Sequence, residues 1–250
     1  MKLANFQGEP EVFYSIQGEG RNAGRASVFV RTSLCNLHCY WCDTDYTWNW
    51  VGSKFPHLKD GQPGYAKFDP KREILDLTVP ELVPFILRHP CAHVVLTGGE
   101  PLLQQDDLAE LMAVLRARDA GFTFEVETNG TLLPDERFDR AIDQYTVSPK
   151  LTNSRNAPEK RLVPVALSFF STSAKANFKF VISRPEDLGE VLEIQRRHAI
   201  PAARIYLMAE ALDEAALQAR ARPVIDLALA HGFNYSDRLH IRLFGNKRAT

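Results

Sequence analysis

The sequence has almost no net charge: 30 lysines and arginines face 31 aspartates and glutamates. Nothing in that balance argues for nucleic acid or a membrane surface as partner, so any anionic ligand must be met by local charges. Residues Met1–Pro10 carry no apolar signal core, and no apolar run approaches the length of a membrane span. The expected location is the cytoplasm. Low-complexity tracts and internal repeats are also missing. Cysteine is scarce, four in 250 residues, which argues against a disulfide framework. Yet three of the four fall within eight residues, Cys35 to Cys42.

What is present is ordinary globular material, 45% apolar, at a length that suits one domain over 1–250. From about residue 93 onward, short apolar runs alternate with amphipathic segments. With one earlier run, the candidate strands are Ala26–Arg31, Val94–Thr97, Phe122–Glu127, Tyr145–Ser148, Phe178–Ile182, Ile205–Met208 and His240–Phe244. Leu108, Leu111, Met112 and Leu115 have the spacing of a half-buried helix. Thr78 with Glu81, and Ser183 with Glu186, have the form of capping boxes, each with proline in the first turn. Pro223 is expected to break or kink a helix over Asp213–His231. Strand–helix alternation implies an α/β fold with a parallel sheet. About seven strands are too few for a closed eight-fold barrel, so the expectation is a partial, open TIM-like β/α barrel. Residues 48–72, rich in Gly, Pro, Lys and aromatics without periodicity, read as an ordered insertion or lid.

The run Cys35-Asn-Leu-His-Cys39-Tyr-Trp-Cys42 places three thiols on one loop. Soft thiolates select iron–sulfur clusters or zinc. Three ligands leave one metal position open, as a substrate-binding cluster requires and a closed structural zinc site does not. The alternative is a zinc knuckle with His38 or Cys91 as fourth ligand, although zinc-finger ligands normally come as two separated pairs. Cys91 alone reads as an inert buried thiol.

Other candidates lie where apolar strands end, the side on which barrel active sites form. Thr97-Gly-Gly99-Glu100 offers close backbone approach and an acid. Glu125 and Glu127 share one strand face, where two acids are costly unless they bind something; Asn129-Gly130 is also readable as a plain turn. Ser148, Pro149 and Lys150 follow a further strand. Gln17, Glu19 and Arg31 together suit a flat heterocycle bearing a carboxylate, since arginine binds carboxylates through two parallel bonds. A hairpin with a surface charge cluster is equally open for these three.

The cysteine spacing, with Trp41 before the last thiol, resembles the radical S-adenosylmethionine superfamily signature. Ser15-Ile-Gln-Gly-Glu-Gly20, Phe29-Val-Arg31, the cysteine loop with Asp43-Thr44, Thr97-Gly-Gly-Glu-Pro101, Glu127-Thr-Asn-Gly130 and Ser148-Pro-Lys150 stand in the order found in the 7-carboxy-7-deazaguanine synthase family. The resemblance implies a 4Fe–4S cluster on Cys35, Cys39 and Cys42, S-adenosylmethionine and Mg²⁺. It implies conversion of 6-carboxy-5,6,7,8-tetrahydropterin to 7-carboxy-7-deazaguanine with loss of ammonia, in the queuosine and 7-deazapurine pathway. Carried over by position, Ile16, Gln17, Gly18, Glu19, Arg31, Thr97, Glu127, Asn129 and His240 meet the pterin. Gly99, Glu100, Ser148, Pro149, Lys150 and Met208, Ala209, Glu210 and Ala211 meet S-adenosylmethionine, and Thr44 meets Mg²⁺. An electron donor such as flavodoxin and a homodimer are implied as well. Some family members use a carboxylate on a shorter tail in the substrate site; here the chain runs on, and Thr250 is assigned no role. Rival readings are an activase acting on a partner protein, and a non-catalytic zinc or iron–sulfur interaction module.

Overall fold

A computed structural model describes residues 1–250. Its strands are β1 (Lys2–Phe6), β2 (Glu9–Pro10), β3 (Val12–Ile16), β4 (Ala26–Thr32), β5 (Ile74–Asp76), β6 (His93–Gly98), β7 (Thr123–Thr128), β8 (Gln144–Val147), β9 (Ala176–Ile182), β10 (Ile205–Ala209) and β11 (Asn234–Ser236). The helices are α1 (Pro70–Glu73), α2 (Val79–Leu87), α3 (Gln105–Arg118), α4 (Glu136–Ala141), α5 (Pro158–Arg161), α6 (Pro164–Thr172), α7 (Leu188–His198), α8 (Glu214–His231) and α9 (Leu239–Phe244).

Strands β4, β6, β7, β8, β9, β10 and β11 are parallel neighbours in chain order. Every crossover therefore steps the same way, which winds the sheet into a partial barrel instead of covering both faces. The sheet stays open: β11 pairs only with β10, while β1 and β3 add antiparallel to β4 at the other end. Helix-facing strand residues such as Val94, Leu96, Phe124, Val126, Phe178 and Phe180 join one cluster of 43 buried apolar residues. Strand alternation sends their neighbours to the concave face. These are Thr97 on β6, Glu125 and Glu127 on β7, Thr146 on β8, Lys179 on β9 and Met208 on β10. No helix is long and apolar enough to cross a membrane.

Three local expectations are corrected. His240–Phe244 is not a strand; it lies in α9, and the last strand is Asn234–Ser236. Asp237 supplies part of the reason, because its carboxylate accepts the Arg238 amide and sets the chain up for a helical turn. Ser183 and Glu186 form no capping box. Asp187 is the acid that turns back, taking the amides of Ser183 at 2.8 Å and Arg184 at 3.1 Å. Pro223 does not break α8, which runs on to His231 because Leu217, Ala221, Val224 and Ala228 bury a continuous stripe. The Thr78–Glu81 pair does form, Glu81 accepting both the amide and the hydroxyl of Thr78.

Residues 48–72 are ordered by anchors at their base. Trp48, Asn49 and His57 are buried, and Trp50 bridges Phe68.

Candidate active site

The concave face opens on a cavity of about 390 Å³, within the range of small-molecule sites. Cys35, Cys39 and Cys42 line one part of it. Their loop is seated on the end of β6. Leu34, in the left-handed region at φ 75°, accepts the Glu100 amide, and Gly99 passes directly beneath. A Cβ on Gly99 would stand 1.9 Å from the Leu34 carbonyl oxygen, so this glycine is required by the close approach of two backbones.

Each thiol has a weak polar neighbour, and Cys42 has the Trp48 side chain as a second. The Leu37 amide lies 3.5 Å from Cys35, the Asn156 side-chain amide 3.4 Å from Cys39, and the Thr44 hydroxyl 3.6 Å from Cys42. Burial pushes all three thiols up, Cys42 to about 12, so a bound cation must compensate for their thiolates. A mononuclear zinc site draws its sulfurs within about 2.3 Å of one ion. No three His, Cys, Asp or Glu side chains converge on a point in that way. The thiols instead rim the cavity, which fits a multi-iron cluster held by one thiolate per iron. Neither proposed fourth zinc ligand is in place. His38 is stacked on Phe55 and Cys91 lies against the Ala26 carbonyl, where β4 begins.

The remainder of the cavity is polar. Thr97 donates to Glu127 at 2.8 Å, and the Gln17 amide reaches Glu127 at 3.3 Å. Lys179 donates to Glu19 and stands 3.8 Å from Glu127. Arg238 binds Glu19 at 2.9 Å, and also Asp43 and the Ala211 carbonyl. Burial alone would raise the Glu19 carboxyl, but Lys179 and Arg238 outweigh it and hold it far below the usual range. Burial pushes His240, 3.8 Å from Glu19, down. His240 sits so close over Gly18 that a Cβ there would meet Nδ1 at 2.2 Å. Arg31 gives only its Nε to Glu11, at 2.8 Å, which leaves both terminal nitrogens for a ligand. Glu11 also takes Tyr46 at 3.0 Å and Arg248 at 2.8 Å.

Known proteins resemble the chain in sequence and in fold. Residues 29–152 match the model of the radical SAM superfamily. The chain is 37% identical to the 7-carboxy-7-deazaguanine synthase of Pyrobaculum aerophilum, with 95% of each covered. The chain belongs to the 7-carboxy-7-deazaguanine synthase family. The synthase of Rhodopirellula baltica is 35% identical, over 96% of this chain and 87% of the relative. The crystal structure of QueE from Escherichia coli superposes with TM-score 0.62 at 27% identity, covering 92% of each chain. Streptococcus suis SuiB shares the fold at TM-score 0.53 and 14% identity, over 84% of this chain and 47% of that one. As a 7-carboxy-7-deazaguanine synthase the chain is a radical SAM lyase, whose cofactors are a 4Fe–4S cluster, S-adenosylmethionine and Mg²⁺.

Against that identity the expected site residues divide. Ile16, Gln17, Gly18, Glu19, Arg31, Thr44, Thr97, Gly99, Glu127, Asn129, Ser148, Lys150, Met208, Glu210 and His240 all line the cavity. Glu100, Pro149, Ala209 and Ala211 are not among the lining residues. Glu100 is fully buried and turned inward, taking Leu102 N at 3.0 Å, the Thr128 hydroxyl at 2.8 Å and Asn129 N at 2.7 Å. It holds the two loops together, with both carboxylate oxygens engaged and out of the cavity. Ala209 and Ala211 fall on the buried side of an alternation in which Met208 and Glu210 face inward. Sequence reasoning missed Lys179, Arg238, Tyr46 and Asn246–Thr250, which also line the cavity. A lysine amid the apolar residues of Phe178–Ile182 was the one available signal.

Proposed function

We propose that both halves of the reaction share this single cavity. The observation that carries the reading is that three thiols and a two-pronged arginine open into the same 390 Å³ space. In this reading Cys35, Cys39 and Cys42 hold the cluster, and Gly99, Ser148, Lys150, Met208 and Glu210 flank S-adenosylmethionine. Together those groups supply the hydrogen-abstracting chemistry when bound.

The chain's own residues do the rest. Arg31 offers its free fork to the pterin carboxylate. Gln17, Thr97, Glu127 and Asn129 offer donors and acceptors to the ring edge; the first three are fixed before substrate arrives by their mutual bonds, and Asn129 by Asn36 and Glu100. Thr44 offers Mg²⁺ one hydroxyl, which suits an ion that keeps water and substrate oxygens as its other ligands. Lys150 is braced by Ser148 at 2.9 Å and lies 5.7 Å from the Trp41 ring, which holds one positive charge near the cluster loop. The substrate equals the product plus ammonia in atoms and electrons, so the overall conversion needs no net oxidant. Residues 1–250 as one domain, a homodimer, a donor such as flavodoxin and a cytoplasmic location complete the proposal, supported by the family resemblance.

The test is anaerobic turnover of reconstituted protein with 6-carboxytetrahydropterin, with and without Mg²⁺. A product lighter than substrate by ammonia is expected, formed faster with Mg²⁺. Cleavage of S-adenosylmethionine without that product would overturn the substrate assignment.

A further inference from the structure

Residues 53–68 touch the cysteine loop through Phe55, His57 and Leu58. The Phe55 ring stacks on His38, with centroids 3.6 Å apart and planes within 8°. The Leu58 amide donates to the Tyr40 carbonyl at 2.8 Å. His57 Nε2 lies 2.9 Å from the Cys42 carbonyl oxygen, and a carbonyl only accepts, so Nε2 carries the hydrogen. His57 is itself buried, with its amide on Asp60 at 2.9 Å and its Nδ1 taking the Lys59 amide at 3.3 Å. Asp45, three residues beyond Cys42, anchors the same segment from below through Lys59 at 3.1 Å and the Tyr65 hydroxyl. The cysteine loop has little regular structure of its own: residues 33–44 contain no helix or strand. Its carbonyls at 40 and 42 are satisfied from this segment, while the Tyr40 amide goes to the Ser154 carbonyl and the Cys42 amide to the Cys39 carbonyl.

We propose that residues 53–68 are a clamp that holds the cysteine loop in its cluster-binding shape before the cluster arrives, with His57 as the positioning residue. The proposal rests on reading Cys35, Cys39 and Cys42 as cluster ligands. A loop ordered in advance loses less entropy when iron binds and opens less often afterwards. His57 acts through the Cys42 carbonyl, while Lys59 and Phe68 of the same segment line the cavity.

The test compares the wild type with His57→Leu, His57→Gln and Gln62→Ala. Glutamine can still offer an amide hydrogen near the Nε2 position. Gln62 is exposed, bonds only within the segment, and serves as the control. In the full-length apo chain, backbone hydrogen exchange over residues 40–44 and iodoacetamide labelling of Cys42 are followed by mass spectrometry. His57→Leu should speed both by about fivefold, the factor carried by one ordinary net hydrogen bond. His57→Gln should restore most of the protection, and Gln62→Ala should leave it unchanged. After reconstitution, the cluster absorbance of His57→Leu should bleach faster in air. Equal exchange and labelling in His57→Leu, at an unchanged melting temperature, would overturn the clamp. Equal losses in His57→Gln and His57→Leu would overturn the hydrogen bond as its basis. If His57→Leu fails to fold, Phe55→Ala and its loss of His38 stacking provide the same comparison. The apo measurements stand whether or not iron binds, so failure of the cluster reading is separately visible.

Discussion

Lys179→Met is the perturbation that best exposes how the polar end of the cavity is held. Lys179 and Glu19 have side chains only 8% and 12% exposed, so little solvent screening softens their interaction. Removing one partner of a buried pair costs about 3–5 kcal/mol, because the other charge is left without compensation. Glu19 keeps Arg238 at 2.9 Å, and Glu127 keeps Thr97 at 2.8 Å. The lower end of that range therefore applies, about 3 kcal/mol, or a melting temperature lower by roughly 6–12 °C for a chain of this size. Lys179→Met/Glu19→Gln removes both charges and should recover at least about 1 kcal/mol relative to the sum of the single variants. Urea denaturation of the four apo proteins of this cycle supplies the numbers. Simple additivity would refute the coupling, and with it the view that Lys179 and Glu19 hold each other at the polar end of the cavity.

Three further outcomes follow from the same geometry. Arg31→Lys replaces a fork by a point charge and should raise KM for the pterin about tenfold or more while leaving S-adenosylmethionine binding unchanged, as steady-state kinetics and equilibrium binding can check; equal losses for both ligands would argue against a carboxylate role. Glu100→Gln turns an NH₂ group toward one of three donors and should destabilise by about 1–3 kcal/mol in urea titration, with faster exchange at residues 128–131. Burial alone would raise the Glu11 carboxyl, but Arg31 and Arg248 bring it below 4.5, so its contribution is full above that pH and lost as pH falls through the depressed folded value. Glu11→Gln should flatten the acid limb of a stability–pH profile and lower stability at neutral pH.

Much of the fold was legible because its barrel strands obey one rule, apolar residues toward the helices and polar ones inward. Glu125 and Glu127 declared their face that way from sequence alone. Lys179 obeys the same alternation between Phe178 and Phe180, but its partner Glu19 is 160 residues away, so nothing local marked it as paired. The stretch His240–Phe244 alternates apolar and polar side chains, as a strand would, yet is equally well accommodated in a short helix. The true last strand, Asn-Tyr-Ser, has almost no apolar signal and is specified by pairing with β10. The Gly98–Gly99 pair was read as an approach for ligand. Gly99 does reach the cavity, but what forbids a side chain there is the Leu34 carbonyl, a contact between segments far apart in sequence. The cysteine loop was visible as chemistry, whereas the segment that fixes its shape had no periodicity to reveal its hydrogen bonds.

The most direct test of the central claim, that one cavity brings the pterin to the cluster-bound cofactor, is turnover with substrate deuterated at C6, the carbon from which the family resemblance implies that a 5′-deoxyadenosyl radical takes hydrogen. Deuterium in the recovered 5′-deoxyadenosine, together with 7-carboxy-7-deazaguanine, is the predicted result. Unlabelled 5′-deoxyadenosine and unchanged pterin would contradict it.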